Sequence, residues 1–431
     1  MSSHLQSILQ ELYSLHAFGI KPGLERTEEL SASLGNPHLR YPTIHVAGTN
    51  GKGTTCSVLA SCLQEAGYKV GLYTSPHIQR FNERIKVNGV EISDEELVEL
   101  LPQLLAKTKE IGSTFFETTT ILAFQYFADK QVDIAIIETG LGGRLDSTNI
   151  ISPLVSVIAS IDFDHQEYLG NTLEKIAFEK AGIIKNNAPV IVSEPREELK
   201  NVFTEKAQQE NTSCLFLDDE SEVSNISLLP TLQSKFTLQI GKTEYKELQF
   251  SLSGKHLIRN AATAILTLQN ILEHVQVSEE NIREGLKNVT KNTGLASRIQ
   301  LLQNKPTIIS DVAHNVAGLK QCFETIKQSG YQLSEFTVLF GVMADKNYDE
   351  MLQVIQSYVS NIVVTAPKFE RALSADQLYE SVVKVGFPNV KKVESIAEGL
   401  DFVSTQLIPT IVLGSFHVAE EVFSYFDAKN L

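Results

Sequence analysis

The chain has 431 residues, which leaves room for two or three domains and a large core. Apolar residues make up 42% of it and no apolar run approaches the length of a membrane span, so the composition predicts a soluble globular protein. The formal charge of −15 disfavours nonspecific binding to nucleic acid, and it requires that any anionic ligand be held by a local positive field.

The N-terminus and the cysteines favour a cytoplasmic protein. Residues 1–13 are amphipathic with an acidic Glu11 and no basic start, so we expect neither a signal peptide nor a transit peptide. Four cysteines without a Cys-x-x-Cys pair give no disulfide framework and no zinc site, which suits a reducing compartment. We expect a monomer that binds neither nucleic acid nor a membrane.

Two helices, residues 3–18 and 25–34, are predicted ahead of a buried strand at residues 44–47. A further helix is predicted from Thr54 to a stop at Gly67. The glycine-rich turn between that strand and that helix is typical of a phosphate-binding loop. Its glycines let backbone N–H groups surround phosphates, Lys52 can meet the outer phosphates, and Thr54 or Thr55 can reach Mg²⁺. The spacing from Gly48 to Lys52 is tighter than in the usual Walker form, so an ordinary turn is the alternative.

The rest of the first half alternates between strand and helix patterns. Strands are predicted at residues 69–73, 132–137, 154–160 and 190–192. The strand at 132–137 is a near-continuous apolar run, and such runs belong to parallel sheets covered on both faces. Helices are predicted after Ser93 and Thr114 and from Thr172 to about Lys180. Residues 215–253 switch to a period of two, which predicts an antiparallel hairpin at the sheet margin, and Gly254 opens a long helix.

The composition loosens at residues 288–297, and we place a domain boundary there, between residues 1–292 and residues 297–431. Beyond it, predicted strands at 307–310, 336–342, 361–366 and 410–413 alternate with helices near 317–329, 348–358 and 374–385. The predicted fold class is α/β: a doubly wound, mostly parallel sheet domain that carries the phosphate loop, and a smaller C-terminal Rossmann-like domain.

Candidate site residues follow the ends of the predicted strands. Gly48, Ser75, Glu138 and His165 each come directly after such a strand, and open α/β sheets bind ligands outside those ends. A hydroxyl, a carboxylate and an imidazole beside a phosphate loop suit divalent metals, with the imidazole better suited to a second ion than to Mg²⁺. Each residue alone could equally be a turn, a cap or a hydrogen-bonded loop residue, and the coincidence of all four favours a site.

Other charged residues have equally plain alternatives. Lys180 falls in the last turn of a helix, where the helix dipole favours any cation. Arg144 follows two glycines and is either a surface charge or an anion clamp. Asp311 and His314 belong to a polar cluster between a strand and a helix, and Arg298 either reaches phosphates bound by the first domain or is a solvated charge.

Several segments, in order along nearly the whole chain, resemble the folylpolyglutamate synthase/dihydrofolate synthase enzymes of the Mur ligase family. They are residues 45–54, 73–77, 81–85, 138–149, 164–165 and 179–185, of which Gly-Leu-Gly-Gly-Arg-Leu-Asp at 140–146 is highly specific. The resemblance implies an ATP-dependent amide ligase. ATP phosphorylates a carboxylate of dihydropteroate or of a reduced folate's glutamate tail, and the amine of L-glutamate then attacks the acyl phosphate.

The resemblance also implies roles for individual residues. It places ATP on Thr49, Asn50, Gly51, Lys52, Gly53, Thr54, Asn260, Arg298 and Asp311. It places two Mg²⁺ ions on Ser75, Glu138, His165 and Lys180, the last as a carbamylated lysine. It places the acceptor substrate on Thr114, Phe115, Phe116, Glu117, Arg144, Leu145, Asp146 and Ser147. It makes Lys52, Lys180 and His314 catalytic, with His314 and Ser415 on the glutamate side.

The sequence departs from the family in its second half. Residues 295–298 read Leu-Ala-Ser-Arg where the family usually has Trp before Gly-Arg, and the chain contains no tryptophan. Residues 311–316 read Asp-Val-Ala-His-Asn-Val in place of Asp-Gly-Ala-His-Asn-Pro, and Leu257 replaces a glutamine. These departures fall on the adenine and glutamate sides of the implied site.

Three alternatives remain open at this stage. The enzyme could have folylpolyglutamate synthase activity only. It could be another Mur-type amino-acid ligase, although a peptidoglycan-precursor ligase has an extra N-terminal domain that the phosphate loop near residue 48 leaves no room for. It could also bind nucleotide without catalysis, which would not need both Glu138 and His165 beside the loop.

Overall fold

Apolar runs that end in glycine-rich or polar turns form the strands of two large sheets. The computed structural model describes residues 3–19 and 21–429; the expected domain ends at residues 1 and 431 lie outside them. The first sheet has eight strands in the order β4-β3-β2-β5-β1-β6-β7-β8. Their bounds are β1 (Thr43–Ala47), β2 (Val70–Tyr73), β3 (Ile85–Val87), β4 (Val90–Glu91), β5 (Ile134–Glu138), β6 (Val155–Ile158), β7 (Val190–Val192) and β8 (Cys214–Phe216). Neighbouring strands from β2 to β8 run parallel, and β3 and β4 add an antiparallel edge.

Helices cover both faces of this sheet, as the apolar strands require. Their bounds are α1 (Ser3–Ser14), α2 (Glu25–Ala32), α3 (Lys52–Glu65), α4 (Asp94–Ile111), α5 (Phe115–Asp129), α6 (Gln166–Leu169), α7 (Leu173–Ala181), α8 (Glu197–Gln209), α9 (Leu217–Glu220), α10 (Lys255–Gln269), α11 (Glu279–Lys287) and α12 (Val289–Thr293). Along β5, Ile134 and Ile136 join the core formed with α3 and α10, whereas Ala135 and Ile137 join the core formed with α4 and α5.

The period-two region corrects one prediction. Residues 215–253 do not form a hairpin at the margin of the large sheet; they form a separate antiparallel sheet of β9 (Ser221–Leu228), β10 (Ser234–Ile240) and β11 (Thr243–Phe250). The apolar face of β10 and β11 packs into the core with α10 instead of extending a sheet edge, while β8 occupies the margin. Strand β9 was not predicted because no residue in it is fully buried, so it carries no alternating pattern.

The second large sheet has six strands in the order β12-β13-β17-β14-β15-β16. The strands are β12 (Gln300–Asn304), β13 (Thr307–Ser310), β14 (Thr337–Phe340), β15 (Asn361–Val364), β16 (Asn389–Lys392) and β17 (Thr410–Leu413). Between and after them lie α13 (Val316–Gln328), α14 (Tyr348–Tyr358), α15 (Ala375–Val385), α16 (Ile396–Thr405) and α17 (Phe416–Lys429). The four predicted strands and three predicted helices are present; β12, β16, α16 and α17 were not predicted.

The connection between the two large sheets is short and unusual in its backbone. Helix α12 extends to Thr293, inside the stretch predicted as a loose linker. Beyond it, Ser297 and Ile299 have positive φ values of 53° and 51°, which L-residues rarely adopt. We propose the division expected from the sequence, residues 1–292 and 297–431, with these residues at the junction. In the part of the chain that the structure describes, no helix is both long and apolar enough to cross a membrane.

Candidate functional site

The carboxyl ends of parallel strands from both large sheets face one cleft of about 1430 Å³. Such a cleft is expected where strand order reverses in α/β sheets. Among the predicted site residues, these line it: Thr49, Asn50, Gly51, Lys52, Gly53, Thr54, Ser75, Thr114, Phe115, Phe116, Glu117, Glu138, Leu145, Asp146, Ser147, His165, Asn260, Arg298, Asp311, His314 and Ser415. Lys180 and Arg144 do not line it.

The turn after β1 has the geometry of a phosphate loop. Helix α3 begins at Lys52, two residues before the predicted start, with Gly51 as its N-cap at φ 90°. L side chains rarely adopt this φ, and a Cβ at Gly51 would also lie 2.5 Å from Asn260 Oδ1, so glycine suits the close approach of the loop to α10. The Lys52 ammonium donates to the carbonyls of Gly48 at 2.9 Å and Thr49 at 3.2 Å, and thus lies over the loop.

The predicted metal residues flank this loop on two sides. Ser75 and Glu138 lie together on one side, where the Ser75 N–H donates to Glu138 Oε2 at 3.1 Å. Burial raises the pKa of Glu138, although the Lys52 charge opposes that rise. His165 follows β6 on the other side of the loop, half-exposed, with Nε2 3.7 Å from Asp164 Oδ2. Within residues 3–19 and 21–429, no three His, Cys, Asp or Glu side chains form a metal-binding group by themselves.

Lys180 lies directly behind the phosphate loop. Its side chain is buried, and its ammonium donates to the Gly48 carbonyl at 2.9 Å. Burial, with the nearby Lys52 charge, lowers the pKa of Lys180 to about 7. A surface cation that only offsets the helix dipole would be neither buried nor aimed at this loop.

The Arg144 side chain contacts helix α7, and its predicted role in binding the acceptor stays a prediction. Its guanidinium donates to the Glu179 carboxylate through two nitrogens, with 2.9 Å between Nη2 and Oε1, and lies 5.7 Å from the centre of the Phe178 ring. The backbone explains this direction: the Arg144 N–H donates to the Glu179 carbonyl at 2.7 Å, and Gly182 packs against the Arg144 backbone. The loop is therefore fixed with Arg144 on the α7 side.

The acceptor wall is built from two capped segments. Thr114 caps α5, and the Glu117 carboxylate accepts from the Thr114 N–H at 2.6 Å and pairs with Arg26 at 2.9 Å. In the loop after β5, Asp146 Oδ2 accepts from the N–H groups of residues 140 and 141, and its Oδ1 accepts from Thr148. These buried carboxylates therefore hold the wall in shape.

The second large sheet contributes a cation and a carboxylate to the nucleotide side. A Cβ at Gly53 would lie 3.8 Å from Arg298 Nη2 and 3.6 Å from Glu138 Oε2, so Arg298 reaches the phosphate loop. Burial raises the pKa of Asp311 to about 6 although the Arg298 charge opposes it, and Asp311 accepts from the Ile299 and Ala313 N–H groups.

His314 and Ser415 lie on the same side of the cleft. His314 Nδ1 donates to the Val312 carbonyl at 2.9 Å, and burial lowers the pKa of His314. Ser415 Oγ accepts from the Val418 N–H at 3.1 Å at the start of α17. In the part of the chain that the structure describes, neither His314 Nε2 nor the Ser415 hydroxyl proton has a hydrogen-bond partner, so both are available to a ligand.

Sequence reasoning gave no role to two further cations of the cleft. Arg84 is buried; its Nε contacts His77 Nδ1 at 2.7 Å and its guanidinium lies 5.5 Å from the centre of the Phe115 ring. In the described part of the chain it has no carboxylate within the 4.0 Å ion-pair distance. Lys346 pairs with Asp164 at 3.3 Å from the opposite sheet. The available signal for Lys346 was its place just after a strand. Arg84 ends a short 3-10 turn just before β3, and in the sequence it looks like any exposed charge.

These features define a two-domain ligase with a phosphate loop on one sheet and a facing cationic wall on the other. The family models agree: the Mur ligase middle domain matches residues 46–268, and the Mur ligase, glutamate ligase domain matches residues 297–413. The chain belongs to the Mur ligase family and, within it, to the dihydrofolate synthase/folylpolyglutamate synthase enzymes, which are ATP-dependent ligases. The predicted family, fold class and enzyme class are confirmed.

Relatives of known sequence support this placement over most of the chain. A dihydrofolate synthase/folylpolyglutamate synthase of Bacillus subtilis is 40% identical over 373 residues, covering 84% of this chain and 85% of that protein. One of Escherichia coli K12 is 33% identical and covers 99% of this chain and 97% of that protein.

Solved structures show the same arrangement. A folylpolyglutamate synthase of Thermotoga maritima aligns with a TM-score of 0.87 at 34% identity, covering 99% of this chain and 98% of that one. Escherichia coli FolC in complex with DHPP and ADP aligns with a TM-score of 0.88 at 33% identity, with the same coverage.

Proposed function

We propose that this enzyme joins L-glutamate to dihydropteroate, to the glutamate tail of reduced folates, or to both, and forms ADP and phosphate. The relatives' names and the E. coli complex with DHPP and ADP support these substrates. The observation that carries the proposal is one cleft in which the phosphate loop faces Arg298 on one side and the buried Arg84 on another, and Arg84 has no carboxylate partner among the described residues. ATP and an anionic acceptor can therefore meet in one site despite the chain's net charge of −15.

ATP is assigned to the phosphate loop and the residues that face it. Backbone N–H groups of residues 49–54 and the N-terminus of α3 suit the phosphates, and Lys52 moves from the loop carbonyls onto them when they bind. Asn260 contacts the loop from α10, and Arg298 and Asp311 close the site from the second sheet.

The donor set of the cleft fits magnesium. Mg²⁺ prefers hard oxygen ligands, and Glu138 offers a buried carboxylate that accepts from the Ser75 N–H, in the cleft that Ser75 and Thr54 also line. We assign a second set of metal donors on the other side of the loop, formed by His165 and by Lys180 as a carbamate. Magnesium bound there would neutralise charge on the phosphates.

The reaction requires two balanced steps. An acceptor carboxylate oxygen attacks the γ-phosphorus, which breaks the bond to ADP and yields an acyl phosphate. The neutral amine of L-glutamate then attacks the acyl carbon, phosphate leaves, and the amine loses a proton as the amide forms. Lys52 and Arg298 stabilise the charge that builds on the transferring phosphoryl group.

The remaining residues bind the two substrates. Residues 114–117 and 145–147 form a wall for the acceptor's ring system, with Phe116 packed on Gly140. Arg84 binds the acceptor's carboxylate, because a buried guanidinium without a counter-ion is costly until an anion pairs with it. His314 and Ser415 bind the incoming glutamate.

Incorporation of radiolabelled L-glutamate tests the proposal. The enzyme, with ATP and Mg²⁺, is given dihydropteroate in one reaction and a reduced folate in another, and ADP is measured in parallel. We expect glutamate incorporation with at least one of the two acceptors, with one ADP formed for each amide bond. Comparison of the two reactions shows whether both activities are present. Incorporation only into a nucleotide-sugar acceptor would instead support another Mur-type ligase, and ATP binding without any turnover would support a non-catalytic role.

A further inference from the structure

Strand β1 carries a buried histidine that the reaction described above does not use. His45 is fully buried in the centre of the first sheet, between β5 and β6. Its Nε2 lies 2.8 Å from Thr148 Oγ1, and its Nδ1 has no hydrogen-bond partner in the described part of the chain. A buried polar ring with only one of its two nitrogens satisfied is expensive to keep, since an apolar residue would fill the space at lower cost.

The direction of the hydrogen bonds around Thr148 determines where the histidine proton lies. The Thr148 hydroxyl and the Thr148 N–H both point at Asp146 Oδ1, the N–H at 3.0 Å. Because a carboxylate only accepts, the single hydroxyl proton belongs to that bond, and Thr148 Oγ1 must accept from His45. His45 is therefore neutral with its proton on Nε2, and burial, which lowers its pKa to about 3, keeps it neutral.

The chain of hydrogen bonds ends on a carboxylate at the cleft. The other oxygen of Asp146, Oδ2, accepts from the Gly140 and Leu141 N–H groups at 3.0 and 2.8 Å. Asp146 and its neighbours on both sides line the cleft. His45, Thr148 and Asp146 thus connect the strand below the phosphate loop to the loop assigned to the acceptor.

We propose that His45 is a positioning residue for the acceptor substrate: its Nε2–H orients the Thr148 hydroxyl, which holds Asp146 and the loop 140–147 in the shape that binds the acceptor. The proposal rests on the function proposed above for the acceptor wall. It makes the hydrogen bond, and not the volume of the ring, the reason for a histidine in the middle of a sheet.

Two substitutions of similar length separate the hydrogen bond from the volume. His45→Gln keeps an N–H donor near the position of Nε2, and His45→Met keeps the bulk without a donor. We expect His45→Met to raise the acceptor KM about tenfold, the usual effect of a lost buried hydrogen bond, with the ATP KM within about twofold. We expect the acceptor KM of His45→Gln to lie much closer to the wild-type value than that of His45→Met.

The opposite pattern would overturn the proposal. Equal acceptor KM values for His45→Gln and His45→Met would mean that His45 only fills space. A rise in the ATP KM instead would mean that it supports the phosphate loop, which begins three residues after it.

A double-mutant cycle tests the route through Thr148. Thr148→Val removes the hydroxyl and Thr148→Ser retains it. Once Thr148→Val is present, His45→Met should add less than about a twofold further change in the acceptor KM, and Thr148→Ser should behave like the wild type. Fully multiplicative effects of the two substitutions would contradict a shared chain of hydrogen bonds.

A spectroscopic measurement keeps this inference separate from the proposed function. In the full chain labelled with ¹⁵N-histidine, the His45 signals are assigned by their loss in His45→Gln. We expect the Nε2–H neutral tautomer from pH 6 to pH 8. An Nδ1–H tautomer or an imidazolium at pH 6 would refute the chain of hydrogen bonds whether or not the enzyme ligates glutamate, whereas absent ligation with the expected tautomer would count against the proposed function alone.

Discussion

Two lysines donate to a single carbonyl, that of Gly48, each at 2.9 Å, and this crowding explains the chemistry expected of one of them. Burial, with the Lys52 charge added to it, lowers the pKa of Lys180 to about 7, so a substantial fraction of the Lys180 amine is neutral at pH 7. Only the neutral amine attacks CO₂; the new N–C bond gives a carbamate, and one proton is released. A carbamate would replace a cation that repels metal ions with hard oxygen donors.

We predict that Lys180 carries a carbamate in the active enzyme and that Lys180→Ala is severely impaired and partly rescued by acetate. Because the pKa is lowered to about 7, the reactive form is lost as the pH falls below that value. Added bicarbonate should therefore stimulate CO₂-depleted enzyme more at pH 8 than at pH 6. A high-resolution map of enzyme crystallised without CO₂ depletion, showing a bare amine turned away from any metal, would refute the prediction.

Lys52 is predicted to be essential for phosphoryl transfer. Its ammonium is the lysine cation that the phosphate loop places over its own carbonyls, where the outer phosphates bind. Lys52→Ala should reduce ligation by roughly 10²-fold or more, because charge stabilisation of the transferring phosphoryl group is lost.

Steady-state kinetics and a thermal melt measure the Lys52 effect and its specificity. The melting temperature should stay close to the wild-type value, since Lys52 contributes no ion pair to the described fold. Lys246→Ala, at a lysine whose side chain is 72% exposed on the small sheet, is the control and should be fully active. Near-wild-type turnover by Lys52→Ala would show that the phosphate loop is not part of the active site.

At the scale of elements, the loop after β5 and the end of α7 fit together only through glycine. A Cβ at Gly182 would lie 2.2 Å from Arg144 Cβ and 2.4 Å from Arg144 Cα, closer than side-chain atoms tolerate. The same helix end carries Lys180, so a displacement of α7 moves that amine away from the phosphate loop.

Gly182→Ala should therefore destabilise the fold by about 1–3 kcal/mol, the usual cost of overpacking, and lower the activity as well. Chemical denaturation with parallel activity assays measures both. Gly53→Ala is the matched contrast for stability, because its nearest neighbour would lie at 3.6 Å and the added methyl group fits. Equal stability of the wild type and Gly182→Ala would show that the loop is not packed as described.

The elements also show what a single sequence can and cannot predict here. Strands buried on both faces, such as β1 and β5, were predicted because a continuous apolar run is stable as a strand only when both faces of its sheet are covered. Strands β12 and β16 were not, because most of their side chains are exposed or half-exposed and their pairing is set by the neighbouring strand, which no local pattern encodes. The strand ends in turn predicted which residues would meet, since parallel strands end at one edge of the sheet.

Side-chain direction was less predictable than position. Arg144 was placed in the acceptor site, but its direction depends on contacts with Glu179 and Gly182, which lie more than thirty residues away in sequence. Arg84 was overlooked for the opposite reason: its burial comes from Tyr13, Phe115 and other distant residues packed around it. Tertiary contacts decide both cases.

At the scale of the whole molecule, the cleft depends on contacts between the two large sheets. Lys346 of the second sheet pairs with Asp164 of the first at 3.3 Å, and Asn315 Nδ2 approaches Asn50 Oδ1 at 3.5 Å beside the phosphate loop. A short junction connects the two parts before β12, with positive φ at Ser297 and Ile299 on either side of Arg298. The nucleotide site is therefore complete only when both parts hold this arrangement.

Arg298 gives the sharpest test of that cooperation, because it belongs to the second part and reaches Gly53 and Glu138 in the first. We predict that Arg298→Ala raises the KM for ATP about tenfold and lowers kcat, while the melting temperature falls little. In the described part of the chain the guanidinium has no carboxylate within 4.0 Å, so its loss should not weaken the fold much. The pKa of Asp311 is about 6 in the wild type because the Arg298 charge limits the rise caused by burial. Removal of Arg298 should therefore raise the pKa of Asp311 further and leave more of its carboxyl protonated at pH 7 than in the wild type. The defect should consequently be larger at pH 6.5 than at pH 8.

Titration calorimetry with ATP and kinetics at both pH values measure these effects, with the exposed Arg40→Ala as the control. If ATP binding and turnover in Arg298→Ala match those of Arg40→Ala, then Arg298 is a charge beside the cleft and the second part does not complete the nucleotide site.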